Sequence, residues 1–144
     1  MKLVLDSNSI TDGFFEDTRL VGIMAPMKDY LFCWQLNNLL GVDFRINNDI
    51  EIQLTKKQRN YFFSVYEYPE RHTALVHYLY NNQCDGEYLL PEFKHLDFLW
   101  LMKGDEVDNA TFLHLIESVR TIKGVQLVIE LTGEKIKHRE HLVF

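Results

Sequence analysis

Two stretches of the chain carry apolar residues at the three- and four-residue spacing of an amphipathic helix. The first covers 27–40, between Pro26 and Gly41, and the second begins at a capping Asp108 and runs to about Lys123. The first stripe consists of Phe32, Leu36, Leu39 and Leu40, and the second of Phe112, Leu115, Ile116, Val119 and Ile122. This spacing predicts two helices, each with one buried side.

Elsewhere the apolar residues alternate with a period of two, or form short unbroken runs, as strands do. The predicted strands are 2–6, 19–25, 61–68, 73–80, 96–102 and 126–131. Residues 42–54, interrupted at 47–49, are predicted to be one long bent strand or a broken pair of strands. The polar stretches 6–12 and 81–87 are predicted to be loops. Residues 96–102 are apolar at both parities, which is typical of a strand covered on both faces.

Helices and strands do not alternate strictly, and the loops between successive strands are short. Short loops favour antiparallel neighbours, so a doubly wound parallel sheet is not expected. We predict an α+β fold, with an antiparallel-dominated sheet of about six or seven strands and two helices packed on one face. The 144 residues suit a single domain spanning 1–144.

The charge and composition of the chain limit the classes of partner that it is expected to bind. A net charge of −6 disfavours binding to phosphate backbones, so no nucleic-acid partner is expected. No apolar run approaches the roughly 20 residues that span a bilayer, and 1–9 lacks the apolar region of a signal peptide. We therefore expect no membrane partner and a cytoplasmic location. Cys33 and Cys84 lie far apart, outside any C-x-x-C pair, and Cys33 is expected to be a buried thiol.

The stretch LPEFKHLDF combines two carboxylates with a proline at the mouth of a predicted buried strand. It resembles the signature of the IPExxxVDY family, a small bacterial family, through Leu90, Pro91, Glu92, Leu96, Asp97 and Phe98. Other stretches that resemble this family are KDYLFCWQLN at 28–37, LVGIMA at 20–25 and the closing HLVF. The resemblance runs from end to end but implies no activity, because no established activity is attached to the family.

Within this signature, Phe98 replaces a tyrosine. If a tyrosine hydroxyl were a general acid at this position, its loss would abolish the chemistry. Either the bulk of the ring matters there or this chain is an inactive member, and the first explanation is simpler.

The two carboxylates admit a structural and a catalytic interpretation. Glu92 and Asp97 can accept backbone amides within the loop or pair with Lys94, Lys28 or Arg71, and so fix the strand register. Alternatively, a turn at 92–95 brings them together as an acid–base pair assisted by His95 or Lys94, acting on a small polar substrate. The sequence favours the structural interpretation, because paired carboxylates alone are a weak signal of catalysis.

Other chemical motifs are weak or absent from the sequence. His138 and His141 are spaced for one metal on a helix, but no third ligand accompanies them. There is no G-x-S-x-G, G-x-x-x-x-G-K-[ST] or G-x-G-x-x-G motif. We therefore expect no metal and no cofactor. A pocket between helix and sheet that binds a small ligand is a further alternative.

The predicted first helix is apolar over more than half of its girth, which indicates deep burial or contact with a partner. Tyr30, Trp34 and Asn37 lie on its second side and are the expected interface. The leading hypothesis is a non-catalytic interaction or scaffold domain that forms a homodimer. The apolar residues 142–144 are expected to dock onto the body of the domain.

Overall fold

The computed structural model describes residues 3–144, with side chains from residue 9 onward. The helices are α1 (Leu3–Phe14), α2 (Asp29–Leu40) and α3 (Asn109–Arg120). The strands are β1 (Arg19–Met24), β2 (Arg45–Ile46), β3 (Ile52–Lys56), β4 (Arg59–Phe63), β5 (Val65–Pro69), β6 (Val76–Asn81), β7 (Gln83–Cys84), β8 (Glu87–Tyr88), β9 (Phe98–Lys103) and β10 (Leu127–Leu131). Short 3-10 helices span Pro91–Phe93 and Arg139–Leu142.

Six strands form one sheet in the order β10–β1–β9–β6–β5–β2, and each neighbouring pair is antiparallel. The remaining strands form two separate hairpins, β3–β4 and β7–β8. The predicted α+β class and antiparallel sheet are confirmed. β9 lies inside the sheet and is buried at five of its six positions, as its apolar residues at both parities predicted.

One face of the sheet is covered by α2 and α3, as predicted. Phe32 of α2 stacks on Phe98 of β9, with ring centroids 4.6 Å apart. Phe112 and Ile116 bring α3 into the same core cluster. The helix ends also follow the sequence: Gly41 closes α2 with a left-handed φ of 67°, and Asp108 caps α3 by accepting the N–H of Thr111 at 2.7 Å.

The second face of the sheet has its own core, which includes Phe14, the hairpin residue Phe63 and the buried Leu142. Gly22 of β1 faces this layer, and a Cβ there would lie 2.3 Å from Cδ1 of Leu96, so a larger residue would force the Leu96 side chain to shift. The prediction that 142–144 dock is confirmed, since the carbonyl of Leu142 accepts the Tyr80 hydroxyl at 2.7 Å.

The predictions for the first 12 residues were wrong. In place of a strand at 2–6 and a loop at 6–12, the described part is the helix α1, while residue 2 lies outside the described residues. A run of three apolar residues does not distinguish a strand from a helix, because both periodicities contain it. Phe14 then fixes the end of α1 in the second core.

The broken pattern at 42–54 proves to be two strands that belong to different sheets. β2 adds to the edge of the six-stranded sheet, whereas β3 pairs with β4. The predicted strand 61–68 also divides, between β4 and β5 at Ser64. The predicted loop 81–87 is in part the hairpin β7–β8, which turns at Asp85 and Gly86, both with positive φ. Among the described residues, no helix has the length and apolarity needed to cross a membrane.

Candidate functional site

The signature loop between β8 and β9 is built around the side chain of Asn82, which is completely buried. Its amide nitrogen donates to the carbonyls of Phe93 (3.1 Å) and Leu96 (2.9 Å), and its oxygen accepts the N–H of Leu90 at 2.9 Å. Asn82 therefore satisfies three backbone groups inside the loop. Sequence reasoning missed this residue because a second asparagine in a polar stretch looks like an ordinary turn residue.

Glu92 lies in the 3-10 helix Pro91–Phe93 and points towards the chain's last residues. Its Oε2 accepts the backbone N–H groups of Lys137 (2.7 Å) and His138 (2.9 Å), and its Oε1 lies 2.8 Å from Nδ1 of His138. Burial raises the pKa of Glu92, but these hydrogen bonds outweigh it and hold the pKa below the usual value. The carboxylate is thus charged at neutral pH, and both of its oxygens are engaged.

Asp97 precedes β9 and points in a different direction. Its Oδ2 accepts the N–H of Ala25 at 2.7 Å, while its backbone bonds to Ile23 and Asn82. Burial raises the pKa of Asp97 above the usual value, and the single amide of Ala25 only partly offsets this. Asp97 therefore ties the start of β9 to the end of β1.

The catalytic arrangement considered for Glu92, Asp97 and His95 is not assembled in the structure. Glu92 binds the segment 137–138, Asp97 binds Ala25, and His95 is exposed with its ring against that of Phe93. The structure shows the backbone role for both acids, although the amides come from distant segments and not from the loop itself. Phe98, buried in its stack with Phe32, uses its ring as a packing element.

An open depression of about 510 Å³ lies beside Asp97 at the N-terminus of α2. It is lined by Pro26, Met27, Lys28, Asp29, Asn81, Gln83 and Asp97. Asp29 is already engaged, since its Oδ2 accepts the Tyr66 hydroxyl at 3.0 Å and Asn81 at 3.4 Å. Burial and the charge of Asp29 raise the pKa of Tyr66 well above its usual range. If the chain binds a small ligand between helix and sheet, the alternative that the sequence left open, this depression is the expected site.

Cys33 and Cys84 are free thiols. Cys33 is buried, as expected, and burial together with the charge of Asp29 raises its pKa to about 12. Such a thiol is inert, because the reactive thiolate is not populated at neutral pH.

The outer face of α2, formed by Tyr30, Leu31, Trp34 and Asn38, lies exposed to solvent. Tyr30 is 67% exposed and Trp34 is 64% exposed. Asn37, which the sequence grouped with them, differs: its side chain bonds both the N–H (2.8 Å) and the carbonyl (3.2 Å) of Phe44. Asn37 therefore stabilises the loop between α2 and β2 through hydrogen bonds to its backbone.

Another exposed apolar residue, Ile46, lies on the edge strand β2. It pairs with Tyr66 across β2–β5, and directly opposed residues project to the same face of a sheet. Because the hydroxyl of Tyr66 reaches Asp29 of α2, Ile46 also projects to the side on which α2 lies. Ile46 is 48% exposed there.

Sequence reasoning also missed a chain of polar contacts that runs from the buried Trp100 through the buried His77 to the partly exposed Glu70. The indole N–H of Trp100 donates to Nδ1 of His77 at 3.0 Å, and Nε2 of His77 lies 2.7 Å from Glu70. Since an indole only donates, Nδ1 is the acceptor and Nε2 carries the proton that Glu70 accepts. A signal existed in the alternation of 73–80, which places His77 on the same side as the apolar Leu75 and Leu79.

Of the two histidines considered for a metal, His138 contacts the Glu92 carboxylate and His141 contacts a backbone carbonyl. Their rings stack with centroids 5.1 Å apart, but His138 faces Glu92 and Nδ1 of His141 lies 2.6 Å from the carbonyl of Leu89. In the part of the chain that the structure describes, no three His, Cys, Asp or Glu side chains converge as metal ligands.

No family model matches this chain, and no curated protein matches it. The resemblance to the IPExxxVDY family therefore rests on the residues of the signature and the three stretches named with it.

Proposed function

We propose that this chain is a non-catalytic protein-interaction module whose recognition surface is the outer face of α2. The observation that carries the proposal is the exposure of Tyr30 and Trp34, each about two-thirds exposed, on a helix without a charged residue from 30 to 40. Aromatic residues are enriched and charged residues depleted in the cores of protein interfaces.

A comparison with α3 supports this interpretation. Both helices cover the same face of the sheet, and α3 also exposes an apolar residue, Leu113 at 56%. In α3, however, the exposed neighbours include Glu117 and Arg120, which is the ordinary composition of a solvated helix. The outer face of α2 lacks such charges, so ordinary solvation does not explain its composition.

The catalytic alternative has less support. An acid–base pair needs both carboxylates near one substrate, with sites free to exchange protons. Glu92 is held by two amides and a histidine, and the depression beside Asp97 is not lined by Glu92.

A photo-crosslinking amino acid in place of Asn38 tests the proposal in cells that produce the chain. Asn38 is exposed on the outer face, and replacing it keeps the Tyr30 and Trp34 side chains while removing a hydrogen bond from Asn38 to the backbone carbonyl of Trp34 (2.8 Å). We expect covalent adducts of discrete mass from position 38, which disappear when Trp34→Glu is added. The same amino acid in place of Leu113 is the matched control and should give none.

The proposal is wrong if position 38 gives no discrete adduct, or gives adducts that Trp34→Glu does not change. Far-UV circular dichroism of Trp34→Glu confirms that the fold is retained. Retention is expected because Trp34 contributes to neither core cluster.

A further inference from the structure

We infer that the partner is a second copy of this chain, bound through an antiparallel pair of α2 helices with Trp34 at the twofold axis. This inference rests on the proposed function, because it assumes that the outer face of α2 is a recognition surface. It adds the identity of the partner and the register of the contact.

The order of residues along α2 suits a twofold contact. In such a contact the same patch meets itself, so a residue on one side of the axis faces a residue at the same distance on the other side. Tyr30, Trp34 and Asn38 follow one another at intervals of four on the exposed side of a 12-residue helix. An antiparallel pair centred at Trp34 therefore places Tyr30 of each copy against Asn38 of the other.

Charge opposes self-association least at this face. The chain has a net charge of −6, so two copies repel each other overall, and a contact surface without charges adds no close-range repulsion to this. Residues 30–40 carry no charge, and Asp29, at the end of the helix, is already bound by Tyr66 and Asn81. A strongly charged partner would find no complementary charge on this face.

The exposed apolar area is sufficient for a weak dimer. Tyr30, Leu31 and Trp34 are between 40% and 67% exposed, and Leu39 on the flank of α2 is 49% exposed. From typical side-chain areas, their exposed parts sum to roughly 450 Å² per chain. Complete burial of these parts in two copies would cover about 900 Å², which is the size of a weak, transient interface.

Sedimentation velocity over roughly 10 to 500 µM measures the association, in the range where interfaces of this size form. We expect the mass to rise from 17.1 kDa towards twice that value with concentration. Trp34→Glu should remain at the monomer mass, and Leu113→Glu, the control on α3, should associate like the wild type. A wild type that remains monomeric over the whole range overturns the inference.

Disulfide trapping tests the register. A Tyr30→Cys chain is mixed with an Asn38→Cys chain, both in a Cys84→Ser background, and oxidised mildly, while Cys33 stays buried. We expect the mixed disulfide between positions 30 and 38 to predominate. Predominance of 30–30 and 38–38 disulfides overturns the antiparallel pairing.

The crosslinker at position 38 separates the two proposals. An adduct with twice the chain mass supports both. A Trp34-dependent adduct with a different protein, from a chain that is monomeric in sedimentation, overturns self-association and leaves the interaction module standing. The absence of both adducts and association overturns both proposals.

Discussion

The carboxylate of Glu92 accepts the backbone N–H of His138 at 2.9 Å, across 46 positions of the sequence. The same carboxylate accepts the N–H of Lys137, and Asp97, five residues further on, accepts the N–H of Ala25. The two acids of the signature thus tie one loop to two distant segments. This arrangement makes the signature a structural junction, and its acids should be tested by their effects on stability.

Glu92→Gln is expected to lower the free energy of unfolding at pH 7 by about 1.5–3 kcal/mol, the usual range for hydrogen bonds to a charged group. The Glu92 side chain is only 11% exposed, so water replaces these bonds poorly. Urea unfolding measures the change. Glu134→Gln, an equal loss of charge at an exposed position, is the control and should have little effect.

The difference in the free energy of unfolding between the wild type and Glu92→Gln should also depend on pH. The pKa of Glu92 in the folded chain lies below its unfolded value, which is about 4.3. Its contribution is therefore complete above that pH and is lost as the pH falls through the folded pKa. If this difference is the same at pH 7 and pH 3, the charge of Glu92 is not what stabilises the loop.

Neutralising Asp97 should not cost stability, in contrast to neutralising Glu92. Because the folded pKa is raised, the neutral form suits the fold better, and Asp97→Asn keeps an oxygen for Ala25. We expect Asp97→Asn to leave the free energy of unfolding at pH 7 unchanged or slightly higher. Asp97→Ala should lower it by about 1 kcal/mol, because the buried N–H of Ala25 loses its partner.

The pH dependence of Asp97 follows from the same shift. A raised folded pKa gives a contribution that is present below the unfolded value, about 3.9, and is lost as the pH rises through the folded pKa. The wild type should therefore gain stability relative to Asp97→Asn on acidification. If Asp97→Asn costs as much as Asp97→Ala at pH 7, then the negative charge itself is required, and this account of Asp97 is wrong.

The elements that the sequence predicted correctly are those with a long, regular pattern. The stripe that begins at Phe32 and the stripe that begins at Phe112 each persist over more than two turns, and the run of β9 is apolar on both faces, as in a strand inside a sheet. The start of the chain offered only three consecutive apolar residues, whose helical state depends on tertiary contacts. Where the pattern at 42–54 broke, the sequence could not tell which sheet each half joins.

Asn82→Ala should destabilise the signature loop more than any change at its acids. Three backbone groups, at Leu90, Phe93 and Leu96, lose their partner in a site closed to water. At about 1–3 kcal/mol for a buried unsatisfied group, we expect a loss of at least about 3 kcal/mol. Chemical denaturation measures it, with Asn81→Ala as the control.

Asn81 is the adjacent residue, half-buried, and its side chain makes a single long bond to Asp29. Its replacement should cost much less than that of Asn82. Equal losses for the two variants would mean that the buried amide does not organise the loop.

The difference between Asn81 and Asn82 also shows what the sequence could not supply for the site. Both are asparagines in one polar stretch, and only the pairing of β6 with β9 turns one of them inwards. Pro91, Glu92 and Asp97 could be singled out because residues of this kind stand out beside an apolar strand. Their partners, which lie 45 to 72 positions away, depend on the tertiary fold.

Because of His77, we expect the free energy of unfolding to fall on mild acidification. Burial lowers its pKa, and the hydrogen bond and charge of Glu70 only partly offset that effect. Protonation would also place a hydrogen on Nδ1, where the Trp100 N–H now donates, so two donors would face each other. The neutral ring therefore contributes stability above its unfolded pKa of about 6.5, and this is lost as the pH falls through the folded value.

Urea unfolding between pH 7.5 and pH 5 measures this effect. The free energy of unfolding should fall with decreasing pH, by up to about 1.4 kcal/mol per pH unit, the limit for one proton. His77→Gln should be less stable at pH 7.5, because Gln cannot reproduce both contacts of the ring, and should lose most of the slope. His114→Gln, on the exposed side of α3, should keep it. A wild-type slope that survives His77→Gln would assign the acid sensitivity to another group, and the Trp100–His77–Glu70 chain would then have no part in it.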